Sequence, residues 1–180
     1  METIVGIWKY LSNLEWTEKV QTDCVFCDHN QLRLIYKDEE IMAFENRRLS
    51  GRFHWLVVPV KHIRDIESLT VADLPLLRHC QEFKRRLLAE RCPSVPASSV
   101  HSGFHRGRRP MFPFGRTGGG TGTGGVHWPD IVSVHHVHLH VIVEPRPLLW
   151  LFKYPAWLPF MWKSDDSVLR RWEAEAKRQK

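Results

Sequence analysis

At 180 residues and with 43% of them hydrophobic, the chain is long enough for one domain with its own core and too apolar to be a disordered polymer. Four cysteines are too few for a disulfide scaffold in a chain that can bury a core, and the formal charge of +6 is modest. That charge gathers at Lys84-Arg85-Arg86, Arg106 to Arg109 and Arg170 to Lys180, a placement that suits anionic partners and equally suits a solvated basic surface.

In chain order, residues 1–22 read as a short amphipathic arm, without the basic segment and long apolar run of a signal peptide. Cys24 and Cys27 then form a C-x-x-C pair, which in an intracellular protein points to a metal or a redox pair. Gln31 to Tyr36 and Glu40 to Glu45 are predicted strands joined at Lys37-Asp38-Glu39, and Phe53 to Pro59 is a third, closed by proline. From Thr70 to Arg91 the residues Leu74, Leu77, Phe83, Leu87 and Leu88 recur at near-helical spacing. Thr70 and Asp73 provide start signals and Cys92-Pro93 the stop. Cys80 and Cys92 carry no mark of reactivity. Ser98 to Phe104 is a further predicted strand.

Residues 106–130 change character, with Arg-Gly-Arg-Arg-Pro followed by Gly118-Gly119-Gly120-Thr121-Gly122-Thr123-Gly124-Gly125. So little apolar surface cannot offset the entropy of ordering, so this stretch is expected to be a flexible excursion from one domain. A phosphate loop is the sharper alternative, but no G-K-[ST] follows. Regular structure is expected to resume as a strand over Ile131 to Val143. The segment from Pro147 to Trp162 is rich in tryptophan but broken by Lys153 and prolines, so it is a poor membrane span. Burial against the domain is its default reading, and docking on a partner or a membrane interface the alternative. A charged helix, Ser167 to Lys180, ends the chain.

Strand residues alternate faces, so His136, His138 and His140 are expected on one face and Val137, Leu139 and Val141 on the core side. Imidazole is a nucleophile, an acid or base near neutral pH, and a metal ligand, and three in a row can divide these tasks. A surface patch or a metal-binding tract is the plainer account of the same residues.

Ser133-Val134-His135-His136-Val137-His138-Leu139-His140-Val141 resembles the S-φ-x-H-φ-H-φ-H-φ signature of histidine triad (HIT) proteins. Phe53-His54-Trp55-Leu56-Val57-Val58-Pro59-Val60-Lys61-His62-Ile63 is similar to the H-x-L-V-φ-P-x-x-H-φ block of that family, and Cys24-Val25-Phe26-Cys27 to its C-φ-F-C. The resemblance spans about residues 23–145 outside the glycine-rich excursion. It is strongest to the Hint branch and, through Gly103-Phe104-His105 and the aromatic tail to Trp162, to the third type of that branch, adenosine 5′-monophosphoramidases.

The resemblance implies an α+β fold, an antiparallel sheet of about five strands with one main helix and a C-terminal aromatic segment beside the site. It divides the chain into an arm at 1–22, a HIT domain at 23–145 with its insertion, and an extension at 146–180. It implies hydrolysis of nucleoside 5′-phosphoramidates and acyl-nucleotides, adenosine favoured, with His138 attacking the α-phosphorus. His140 and Ser133 would contact the phosphate, His54 would lie near the leaving group, and Phe26 and Phe44 would enclose the base. Asn46 stands where aspartate usually binds the ribose, and loses the bidentate carboxylate. Cys24, Cys27, His62 and His136 would hold a structural zinc. Purine nucleoside monophosphate derivatives are the expected partners, a homodimer is carried over from the branch, and the cytoplasm or nucleus is the expected setting. The rival readings are an aprataxin-like DNA deadenylylase, against which stands the absence of a second Cys2His2 finger, and a non-catalytic nucleotide-binding scaffold. The Gly103 and Ile131 positions and the insertion depart from the first type of the branch.

Overall fold

The structure, a computed structural model, describes residues 23–28, 32–107, 109–110, 127–128, 132 and 134–179. The expected N-terminal arm, Gln31, most of the glycine-rich insertion, Ile131 and Ser133 lie outside them. Strands β1 (Leu34–Lys37), β2 (Ile41–Glu45) and β3 (Gly51–Pro59) lead into helix α1 (Leu74–Arg91) and strand β4 (Val100–His105). Short strands β5 (Arg109–Pro110) and β6 (His127–Trp128) are followed by β7 (Leu139–Pro145), helix α2 (Pro147–Phe152), β8 (Trp162–Ser164) and helix α3 (Asp165–Arg178). All strands pair antiparallel, in a six-stranded sheet ordered β1-β2-β3-β7-β4-β8 and a two-stranded sheet of β5 and β6.

The expected α+β architecture is present, with six strands in the main sheet where about five were expected. The added strand, β8, has three residues, too short for an alternation pattern to reveal it. The insertion begins and ends in the β5–β6 ladder, Arg109 opposite Trp128 and Pro110 opposite His127. The helix expected from Thr70 opens as a 3-10 turn, Val71–Asp73, with a capping box between Thr70 and Asp73, before α1 proper. None of the helices described is long and apolar enough to cross a membrane.

The sheet has two differently used faces. One carries Ile41, Ala43, Trp55, Val57, Leu139, Val141 and Val143, which pack with Leu77, Cys80, Phe83 and Leu87 of α1 into the main core. The opposite face follows from the register. Phe44 opposes Leu56, Leu56 opposes His140, His54 opposes Ile142, and Gly103 opposes His140, so these residues line one surface. There Met42, Phe44, Leu56 and Val58 form a second apolar cluster with Phe26, and Ile142, Tyr154 and Trp162 form a third. The histidines sit between those two clusters.

The histidine row is only partly in strand. The ladder begins at Leu139, so His136 and His138 precede it, a correction to the strand expected over Ile131 to Val143. The reason is local: His136 N–H turns back to the Val134 carbonyl (2.8 Å), and Val137 N–H bonds the Ile63 carbonyl (2.6 Å) in place of a ladder partner. Side-chain alternation survives the change, since Val137, Leu139 and Val141 all enter the main core.

The aromatic tail divides. Tyr154 and Trp162 are buried as the default reading expected, whereas Leu148, Trp150, Leu151, Phe152 and Trp157 stay exposed. The tail is fixed to the domain at β8 and by a buried polar knot at the start of α3. Asp165 accepts from Lys84 Nζ (2.5 Å), Ser102 Oγ (2.8 Å) and Gln81 Nε2 (3.2 Å), joining α3 to α1 and β4. A buried carboxylate is tolerated because these partners satisfy it.

Strand β8 can approach β4 only because residue 103 is glycine. A Cβ there would lie 2.3 Å from the Lys163 carbonyl oxygen and 2.8 Å from the Trp162 ring. Gly103→Ala is therefore expected to push β8 from the sheet and to cost about 1–3 kcal/mol, the usual range for overpacking a filled site. Urea unfolding of the two proteins checks this, and a midpoint unchanged by the substitution would contradict it.

Candidate functional site

The site is assembled from the loop of Cys24 and Cys27, from β3, from the loop after it, and from the segment that enters β7. Its first group is Cys24, Cys27, His62 and His136, whose ligand atoms lie within 4.8 Å of one another. Cys27 N–H bonds the Cys24 carbonyl (2.9 Å), the tight turn that brings both sulfurs to one side. Cys24 Sγ lies 3.4 Å and Cys27 Sγ 3.6 Å from His136 Nδ1, and Cys27 Sγ 3.3 Å from His62 Nδ1. Tetrahedral bonds of about 2.3 Å to sulfur and about 2.05 Å to nitrogen would place such atoms about 3.6 Å apart, close to what is seen. His136 Nε2–H donates to the Pro59 carbonyl (2.9 Å), which leaves its Nδ1 lone pair toward the sulfurs. Burial, followed by the charge on His62, lowers the His136 pKa to about 4, so the ring is neutral, as a ligand must be. Burial and the neighbouring Cys24 push the Cys27 thiol up to about 11. A thiol that resists ionisation beside a second sulfur suits a cation held between them. The four residues could hold a metal ion.

The second group is the neighbouring pair His138 and His140. His138 Nδ1 lies 2.6 Å from the main-chain carbonyl of His136. A carbonyl only accepts, so Nδ1 carries the proton and Nε2 is left with its lone pair. Burial lowers the His138 pKa to about 4, so the ring is neutral at pH 7. The Phe26 ring meets His138 edge-on at 5.3 Å and packs on Phe44 at 5.2 Å, so an aromatic pair stands directly beside the ring that can attack. His140 is 4.7 Å from His138, ring centre to ring centre.

Behind His140 runs a polar relay. His54 Nδ1–H donates to the Arg48 carbonyl (3.3 Å), so its Nε2 accepts, from His140 Nδ1–H at 2.9 Å and from Asn46 Nδ2 at 3.3 Å. Asn46 Oδ1 in turn accepts from Arg48 N–H (3.0 Å). Asn46 thus orients His54 here. This chain leaves His140 Nε2 unprotonated, and that atom is buried with no hydrogen-bond partner among the described residues. Burial holds His54 near a pKa of about 3 and His140 well below the ordinary imidazole value, with the Lys153 charge adding to both.

The structure brings together His138, His140, His54, Asn46, Phe26 and Phe44, and separately Cys24, Cys27, His62 and His136. Ser133 lies outside the described residues. Four neighbours were not assigned to the site from sequence: His105, Tyr154, Trp162 and Lys153. His105 is buried 5.0 Å from His140, and Tyr154 is 5.1 Å from His140 and 5.5 Å from His54. Tyr154 Oη accepts from Ser50 Oγ (3.3 Å), and burial raises its pKa to about 12. A signal for His105 was present: His101, Gly103 and His105 alternate along β4, which places both imidazoles on the face that holds His140. The tail residues gave no such signal, because their arrival depends on β8.

Residues 23–112, half of the chain, match the family described as scavenger mRNA decapping enzyme, C-terminal binding. Among curated proteins the chain is 28% identical over 138 residues to the Arabidopsis thaliana bifunctional adenosine 5′-phosphosulfate phosphorylase/adenylylsulfatase HINT4, covering 73% of this chain and 77% of that one. It is 22% identical over 145 residues to the Xenopus tropicalis adenosine 5′-monophosphoramidase HINT3, covering 78% and 80%. It is 28% identical over 110 residues to Danio rerio aprataxin, covering 61% of this chain but only 26% of the aprataxin. A solved HIT family hydrolase from Legionella pneumophila superposes with a TM-score of 0.50 at 23% identity, over 69% of this chain and 95% of that one, which shows the shared fold. The chain belongs to the family that this model describes, and with it to the histidine triad superfamily.

Proposed function

We propose that this protein is a nucleotide hydrolase that cleaves nucleoside 5′-phosphoramidates and acyl-nucleotides, adenosine substrates favoured, with His138 as nucleophile. The observation that carries the proposal is the His138 hydrogen bond to the His136 carbonyl, which leaves a neutral Nε2 lone pair beside the Phe26–Phe44 pair. A buried imidazole held in one tautomer is ready to attack phosphorus without first losing a proton.

Nε2 forms a bond to the α-phosphorus as the bond to the leaving nitrogen or acyl oxygen breaks, and the leaving group departs with the electron pair. An amine takes up a proton from solvent as it leaves. Water then attacks the nucleotidyl-histidine, the P–N bond to His138 breaks, and nucleoside monophosphate is released, so one water is consumed per turnover. An anionic phosphoryl group beside His140 favours the protonated form of that ring, which converts its unpartnered Nε2 into a donor to a non-bridging oxygen. Phe26 and Phe44 hold the base. The similarity to enzymes named for adenosine monophosphoramidase and adenylylsulfatase activity supports the reading.

His138→Asn is expected to lower turnover of adenosine 5′-phosphoramidate by at least about a thousandfold, the scale of losing a covalent nucleophile. Equal activity in the two proteins would remove the proposal. Faster release of AMP from adenylated nicked DNA than from the phosphoramidate would favour the aprataxin-like alternative that the Danio rerio relative suggests.

The pH dependence has a definite sign. His138 acts unprotonated, and burial lowers its pKa from 6.5 to about 4. The rate constant kcat/KM should stay level as pH falls through 6.5 and be lost only near pH 4, since this parameter reports the free enzyme. Because the unfolded chain takes up protons below 6.5 that the buried imidazoles refuse, stability falls over the same range. Circular dichroism at each pH separates the two effects. An acid limb near 6.5 in protein that is still folded would contradict the assignment.

We assign zinc to the Cys24–Cys27–His62–His136 group, in a structural role, because four protein ligands close a tetrahedral site. Elemental analysis should find close to one zinc per chain. Cys24→Ser should lose the metal and lower the thermal midpoint. A zinc content near zero in the unsubstituted protein would refute the assignment.

A further inference from the structure

Next to the histidines stands a cation that neither the fold nor the nucleophile uses. Lys153 follows α2 and is half-buried, its Nζ 5.4 Å from the centre of the Tyr154 ring. That ring lies 5.1 Å from His140, 5.2 Å from His105 and 5.5 Å from His54. Among the described residues Lys153 makes no ion pair. The charges of described residues that act on His54, His105, His140 and Lys153 include no carboxylate. A half-buried ammonium without a counter-anion among the described residues is costly, and such arrangements persist where an anionic ligand supplies the missing charge.

The order of the groups says which part of a substrate reaches this cation. Phe44 touches Phe26 (5.2 Å), Phe26 touches His138 (5.3 Å), His138 touches His140 (4.7 Å), His140 touches Tyr154 (5.1 Å), and Lys153 lies over Tyr154. Aromatic surface for a base lies at one end, the attacking ring in the middle, and the Lys153 cation at the other end. A nucleotide whose base meets Phe26 and whose α-phosphate meets His138 and His140 directs its leaving group toward Lys153.

We infer that Lys153 forms a subsite for a second oxyanion on the leaving group, so that nucleotides joined to a phosphoryl or sulfuryl group bind better than those joined to a neutral amine. This inference rests on the nucleotide-hydrolase reading and narrows its substrate class to mixed anhydrides of the α-phosphate. In the transfer step the P–O bond to the leaving group breaks, and the departing phosphate or sulfate keeps the electron pair of that bond. The ammonium lies where the new negative charge develops.

Equilibrium binding to the His138→Asn protein, which cannot consume its ligands, tests this with three probes: adenosine 5′-phosphoramidate, ADP and adenosine 5′-phosphosulfate. Both anionic ligands should bind roughly tenfold more tightly than the phosphoramidate, the scale of one charge-assisted contact. Adding Lys153→Met should reduce that preference to about twofold or less, whereas adding Lys153→Arg should keep it. Thermal unfolding shows that each variant is folded. A preference for ADP alone or for the phosphosulfate alone identifies the group the subsite takes, and either result supports it. Binding of all three probes with equal affinity, or a preference that survives Lys153→Met, overturns the subsite and leaves the hydrolase reading standing. Failure of all three probes to bind overturns the nucleotide reading, and the subsite with it.

Discussion

The hydrogen bond from His138 Nδ1 to the carbonyl of His136 joins two sites that would otherwise be separate. His136 offers its ring to the cysteine pair and its main-chain oxygen to His138. Whatever fixes the His136 ring also fixes the peptide that sets the tautomer of His138. The same cysteine turn carries Phe26 between its two sulfurs, and Phe26 packs on both His136 and His138. A metal between the sulfurs would therefore hold Phe26 and His138 in register, because His136 would be at once its ligand and the acceptor that orients the neighbouring histidine.

The sheet makes the rest possible by separating two tasks across its faces. Valine, leucine and isoleucine on the helix side supply the hydrophobic core. The other face buries His54, His105, His138 and His140 between two smaller apolar clusters. Burial keeps these rings neutral, so each can be acceptor and donor at once, and chains of oriented imidazoles form without carboxylates. For His54 and His138 the cost of burial is offset by partners on the main chain, the Arg48 and His136 carbonyls.

Much of this was legible in the sequence because it depends on local periodicity or on spacing. The alternation of Val137, Leu139 and Val141 with the triad histidines gave the core side correctly, and the leucine spacing gave α1. The cysteine pair, His62 and His136 were grouped through resemblance, and the structure places their ligand atoms together. The strand begins later than its pattern suggests because His136 and His138 keep strand-like alternation while the His136 and Val137 N–H groups bond the Val134 and Ile63 carbonyls. The resemblance places the aromatic segment beside the site, but nothing local to Lys153 and Tyr154 singles out these two residues. They reach it only because Gly103 admits β8 and Asp165 ties α3 to Lys84 and Ser102.

On the proposed reading, that dependence lets one site combine a fixed chemistry with an adjustable substrate range. His138, its tautomer and its aromatic neighbour are held by the sheet and the cysteine turn, where a small displacement would disturb the core. Lys153 instead rides on a segment whose intervening residues, Trp150, Leu151, Phe152 and Trp157, remain exposed. Its attachments are the buried ring of Tyr154, the β8 ladder and the Asp165 knot. A change at Lys153 can alter the charge beside the histidines without touching the hydrogen bond that fixes the tautomer of His138. If His138 is the nucleophile and Lys153 the leaving-group subsite, the chemistry of attack belongs to the histidine triad core, and the choice of leaving group to the extension that β8 returns to it.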